Sequence, residues 1–116
     1  MIKVFFLREN KYIKGFEIKG HSNFYKSLLN KVLLKFGIKR KDYICSAVSA
    51  ISYMTVIGLS KVLKKDIEYK EENNGHLICK LRKKPDNESE NLFKTFLLTL
   101  EEIDKRYPNN INIEWR

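Results

Sequence analysis

Cysteine at 45 and 79 and histidine at 21 and 76 are the residues of this chain best equipped for nucleophilic chemistry. Cys45 lies three residues after Asp42, in Asp42-Tyr43-Ile44-Cys45-Ser46-Ala47. Asp42 is a good N-cap for the apolar stripe that follows, which predicts Cys45 as the third residue of a first helical turn. Unsatisfied backbone N–H groups and the positive end of the helix dipole stabilise a thiolate there. A thiol with a depressed pKa is a usable nucleophile near neutral pH. Ser46 and Ala47 are small enough to let a carbonyl approach, and the same N–H groups suit an oxyanion. The competing reading is a core thiol, since free cysteine is among the most buried residue types.

His21 is the natural base. It follows Gly20 at the end of an expected strand, where a side chain projects past a sheet edge, and a general base needs only to reach the thiol proton. A lone histidine in a turn is otherwise an ordinary polar residue, and one Cys with one His is no signature by itself. Cys79 alternates with Leu77 and Leu81 and is expected in the core. His76 flanks a hairpin turn and is expected to be solvated. No Cys-x-x-Cys spacing suggests a metal, and no glycine-rich phosphate loop suggests a nucleotide. No carboxylates pair for glycosidase chemistry, and aromatics are not interleaved with Lys/Arg as on an RNA-recognition sheet.

The elements that must position these residues are legible in the periodicity. Residues 2–8 and 12–19 read as two strands joined at Asn10-Lys11. Phe24, Leu28, Leu29, Val32, Leu33 and Phe36 have helical spacing, stopped by Gly37, and Lys39-Arg40-Lys41 reads as a basic turn. From Asp42 to about residue 64, Ile44, Ala47, Val48, Ile51, Thr55, Leu59, Val62 and Leu63 form one stripe. Small residues keep that helix slim, and apolar Tyr53, Met54, Val56 and Ile57 on its other sides predict a central helix. Residues 66–72 and 76–82 read as a hairpin around Asn73-Asn74-Gly75. A last helix over 88–106 is buried through Leu92, Phe93, Phe96, Leu97, Leu100 and Ile103, and Pro108 precedes a strand at 111–115. The order ββααββαβ predicts an α+β two-layer sandwich, mostly antiparallel, with the helices on one face.

The chain has 116 residues, enough for one domain. Charged residues make up 32% and there are only two prolines and five glycines, which excludes disordered and low-complexity classes. No uninterrupted apolar run reaches the roughly 20 residues of a membrane span, and the start lacks a signal-peptide pattern, so a cytoplasmic protein with free thiols and no membrane partner is expected. The net charge is +9, with 19 basic and 7 acidic residues before position 86. That points to ribosome or RNA proximity, or to a solvated surface.

Gly15-Phe16-Glu17-Ile18-Lys19-Gly20-His21-Ser22-Asn23-Phe24-Tyr25, with Asp42-Tyr43-Ile44-Cys45-Ser46-Ala47-Val48-Ser49-Ala50-Ile51-Ser52, resembles the paired motifs of the ribosomal-processing cysteine protease Prp family. The opening Ile2-Lys3-Val4-Phe5-Phe6, the segment Leu77-Ile78-Cys79-Lys80-Leu81 and Tyr107-Pro108 also fit, so the likeness runs the length of the chain. The resemblance implies a dimeric α+β endopeptidase without cofactor. It implies a Cys45/His21 dyad that clips a short N-terminal extension from large-subunit ribosomal protein twenty-seven. The motif glycine, aspartate and serine fall on Gly20, Asp42 and Ser49. Asp42 either caps the helix or contacts His21. Ser49, one turn beyond Cys45, either hydrogen-bonds near the site or keeps the helix thin.

The chain departs from the family in the 23 residues between His21 and Cys45, where members have a short glycine-containing loop. An amphipathic segment at about 24–38 is inserted here, expected to act as a lid, a dimer contact or an extra core helix. Loop length is thermodynamically forgiving, so the dyad is expected to survive it. The alternative to an enzyme is a non-catalytic, basic ribosome-associated module of the same fold.

Overall fold

The computed structural model describes residues 1–20, 40–72 and 75–116, with backbone only at 40–42. Val, Ile and Phe alternating with polar residues build β1 (Ile2–Glu9) and β2 (Tyr12–Lys19), which pair antiparallel through a turn with Asn10 at positive φ. β3 (Ile67–Glu71) and β4 (Leu77–Leu81) form the second hairpin, and β4 joins β2. β5 (Ile111–Trp115) lies parallel to β1, which completes a five-stranded sheet of order β3-β4-β2-β1-β5. These strands fall within a residue or so of those predicted.

Helix α1 (Arg40–Ile57) continues into a π-helical turn (Gly58–Val62), and α2 spans Asn87–Arg106. One face of the sheet carries Val4, Phe6, Phe16, Ile18, Leu77 and Cys79. Both helices cover it with Val48, Leu59, Phe93, Phe96 and Leu100, making a single core. The α+β two-layer sandwich therefore stands, with the helices of the described residues on one face. The helix expected over 24–36, and with it the inserted segment, lies outside the described residues.

Asp86 caps α2 by accepting from the Ser89 N–H at 2.9 Å, while Ser89 Oγ accepts from the Asp86 N–H at 3.1 Å. This reciprocal pair satisfies two donors of the helix start. On the opposite side of α2's first turn, Glu90 Oε1 accepts the Ile13 N–H at 2.7 Å, which ties the helix to the sheet beside the irregularity in β1–β2 pairing.

Four expectations are corrected. Arg40 and Lys41 are helical, not a turn, and Asp42 lies inside α1, so it is not the N-cap. α1 is not central: Val48, Ser52 and Leu59 are buried, but Met54 and Ile57 are about half exposed. Val62, expected on the core stripe, is 73% exposed, because the π-helical turn shifts the phase of the residues after Ile57. Finally, Tyr43–Val62 is long and apolar enough to cross a bilayer by length and composition. Here one of its faces is core.

Candidate active site

Two ends of the sandwich can be distinguished by topology. β2 ends and β1 and β5 begin at the near end, where Lys3 pairs with Lys19 and Ile2 with Ile111. The C-terminal half of α2 reaches the same end, since Tyr107 leads into Ile111 within four residues and the Ile2 N–H donates to the Asn110 carbonyl at 2.9 Å. The first turns of α1 also lie there: Tyr43, Ile44 and Ala47 share a cavity with Ile103 and Tyr107. The chain therefore leaves β2 at the end of the molecule where Cys45 stands.

Gly20 is required at this exit. Its φ is +75°, and a Cβ would meet the Met1 carbonyl oxygen at 2.6 Å. Any side chain would be strained by the backbone and would strike the start of β1. His21 comes next in the chain; its placement, like the Asp42 side chain, lies outside the described residues. Of the two expected roles of Asp42, the helix boundary removes the cap.

Cys45 faces the sheet from α1, 9% exposed and in contact with the core. Ser49, one turn on, is buried on the same side, as is Ser52, whose hydroxyl donates to the Ser49 carbonyl at 2.8 Å. Small hydroxyl residues thus line the α1 stripe next to the thiol, where larger side chains would fill the space. Ser46 is half-buried beside it. Since the helix already includes Arg40, the Cys45 N–H belongs to the i→i−4 ladder and is not among the free donors of the helix start. The sequence expectation that these N–H groups surround the thiol is corrected accordingly.

The apolar cavity lined by Tyr43, Ile44, Ala47, Ile103 and Tyr107, of about 480 Å³, does not contain the thiol. Tyr43 and Ala47 are each two residues from Cys45, about 200° around the helix. Cys79 is fully buried, as expected, and burial pushes its thiol up to about 12. Both cysteines are free. Among the described residues no group of three His, Cys, Asp or Glu could hold a metal.

Two polar clusters escaped sequence reasoning because their members are far apart in the chain. Tyr53, two turns beyond Cys45, donates its hydroxyl to the Glu71 carboxylate at 2.6 Å, and Tyr69 donates to the same carboxylate at 2.9 Å. This clamp ties α1 to the near end of the edge strand β3. Burial, then the bond to Glu71, drives the Tyr69 pKa far up. On the sheet face away from α1 and α2, Glu17 accepts from Arg116 Nη1 at 2.9 Å and lies 2.7 Å from His76 Nε2. His76 is therefore a partner of a buried carboxylate, not the solvated residue expected.

The structure is thus an α+β sandwich that shelters the Cys45 thiol on α1, at the end where β2 leaves through Gly20. Residues 1–112 match the family described as cysteine protease Prp, and the chain belongs to that family. No curated protein matches the chain. Among solved structures, the S. aureus ribosomal processing protease Prp in complex with a substrate peptide aligns with a TM-score of 0.80 at 17% identity, over 100% of both chains. SMU.848 from Streptococcus mutans aligns with a TM-score of 0.77 at 21% identity, over 100% of this chain and 99% of that one. The S. aureus protease with a covalently linked product peptide also gives 0.77, at 19% identity, over 100% of both chains. At these identities the alignments establish the shared fold, and the family match establishes a cysteine protease.

Proposed function

We propose that this cysteine protease removes a short N-terminal extension from large-subunit ribosomal protein twenty-seven, with Cys45 as nucleophile and His21 as base. The observation that carries the reading is Cys45 itself: of the two thiols it alone stands at the near end, where β2 delivers the Gly20-His21 step. The S. aureus relative is a ribosomal processing protease, which supports the substrate class.

In this reading His21 takes the Cys45 proton and the thiolate adds to the scissile carbonyl carbon. The C–N bond then breaks, and the leaving amine takes the proton back from the imidazolium. Water next attacks the thioester; His21 accepts its proton and returns it to the sulfur, releasing the new carboxyl end. Gly20 sets the exit of the chain from β2. Ser49 and Ser46 keep the thiol's surroundings small and polar.

The enzyme acts as a homodimer in the cytoplasm. The dimer is supported by the exposed apolar strip of Met54, Ile57 and Val62, which offers a second copy an apolar contact. The two free cysteines suit a reducing compartment. The test incubates the protein with its own organism's extension-bearing ribosomal protein and reads the new N-terminus by mass spectrometry, alongside light scattering for the oligomer. A protein that cleaves this substrate only when Cys45 is intact meets the proposal. An uncut extension, or a substrate with no extension, refutes the substrate assignment.

A further inference from the structure

The net charge of the described chain is concentrated at one place, the far end of the sandwich. Three loops meet there: the β1–β2 turn, the segment between the π-helical turn and β3, and the β4–α2 loop. Lys14 Nζ donates to the Lys83 carbonyl at 3.0 Å, which joins the first loop to the third. The Arg82 N–H donates to the Asp66 carbonyl at 3.0 Å and its guanidinium to Asp66 Oδ1 at 3.1 Å, which joins the second to the third. Residues 8–14, 61–66 and 82–88 together hold nine basic and four acidic side chains, whereas the other described residues hold ten of each.

All four carboxylates of this end are already taken. Glu9 pairs with Lys14, Asp66 with Arg82, and both Asp86 and Glu88 with Lys65. Lys11, Lys61, Lys64, Lys83 and Lys84 are exposed and form no ion pair among the described residues. Arg8 lies over the Trp115 ring, 4.0 Å from its centroid, and forms no ion pair among the described residues. The fold thus spends its local acids on the cations that hold the loops together and leaves a ring of free ones facing water.

We infer that the far end is a docking surface for the phosphate backbone of RNA. Its free cations are lysines, which act as point charges toward phosphate, and they are spread over three loops without a forked partner geometry. A protein partner would need a buried aromatic or aliphatic anchor at the centre of the patch. Here the exposed apolar side chains are dispersed: Tyr12 and Val62 belong to different segments, and Trp115 lies beneath Arg8. Binding is therefore electrostatic and independent of sequence. The surface lies at the opposite end from Cys45, so an RNA-bound molecule keeps its near end free. The inference stands whether or not the proposed substrate is the right one.

The experiment measures fluorescence anisotropy of a labelled mixed-sequence RNA of about 20 nucleotides against the whole protein. With about five phosphates neutralised, affinity should fall roughly a hundredfold between about 50 and 200 mM salt. The triple variant Lys11→Glu, Lys64→Glu, Lys84→Glu should bind at least tenfold more weakly and with a shallower salt slope. The matched variant Lys3→Glu, Lys70→Glu, Lys105→Glu, of equal net charge, should bind within a factor of about three of the parent. Thiol labelling of Cys45 should be the same in all three proteins. Equal loss in both variants would show a net-charge effect and overturn the site. So would displacement of the RNA by a polyglutamate peptide at equal charge concentration, which would point to an acidic protein instead. Absence of binding at about 50 mM salt would overturn it outright.

Discussion

His76 Nε2 lies 2.7 Å from Glu17 Oε1 on the sheet face away from α1 and α2, and Arg116 closes on the other carboxylate oxygen at 2.9 Å. Burial alone would raise the Glu17 pKa, but the hydrogen bond to His76 and the charges of Arg116 and Lys19 outweigh it and hold the carboxyl below 4.5. A depressed folded pKa means stability that is fully present above the ordinary carboxylate range and lost as pH falls through the folded value. Glu17→Gln should therefore lower stability by about 1–2 kcal/mol at neutral pH. Urea denaturation of the two proteins should converge between about pH 6 and pH 3. A gap that stays constant over that range would show that the charge on Glu17 contributes nothing.

The two thiols should separate by reactivity. Cys79 is fully buried between sheet and helices, with its ionisation pushed up to about 12, so iodoacetamide should reach it only through unfolding. Cys45, at the near end of α1, should be labelled at least about a hundredfold faster in the native protein. Peptide mapping after brief labelling reads the ratio, and equal rates would remove Cys45 as the nucleophile.

The dyad should behave as one unit. Cys45→Ala and His21→Ala should each abolish cleavage while leaving the circular dichroism spectrum unchanged, and the double variant should be hardly worse than either. Independent, multiplying losses would mean that the histidine acts elsewhere. Substantial turnover by Cys45→Ala would reject the mechanism.

Gly15 is a structural requirement unconnected with the thiol. A Cβ there would lie 2.4 Å from the Cys79 carbonyl oxygen and 2.5 Å from the Lys80 Cβ, so β2 and β4 would have to part. Gly15→Ala should cost about 2–3 kcal/mol. The midpoint of urea denaturation reports it, and a loss below about 0.5 kcal/mol would show that the strands yield freely.

Local pattern was enough for the five strands and for α2. The alternation Leu77-Cys79-Leu81 marked a strand and its inward face. The spacing Phe93, Phe96 and Leu100 marked a helix and its buried stripe, and the Gly20-His21 and Cys45 motifs marked the family. These are properties of neighbouring residues, set by the strand and helix periods. Tertiary structure decided what depends on partners distant in the chain. His76 looked like a solvated turn residue until the sheet brought Glu17, 59 positions away, beside it. Asp42 looked like a cap because its side chain suits one, but α1 had already begun at Arg40. Likewise, the basic excess of residues 1–85 became a localised charge only when three loops met, because a carboxylate neutralises whichever cation packing places against it.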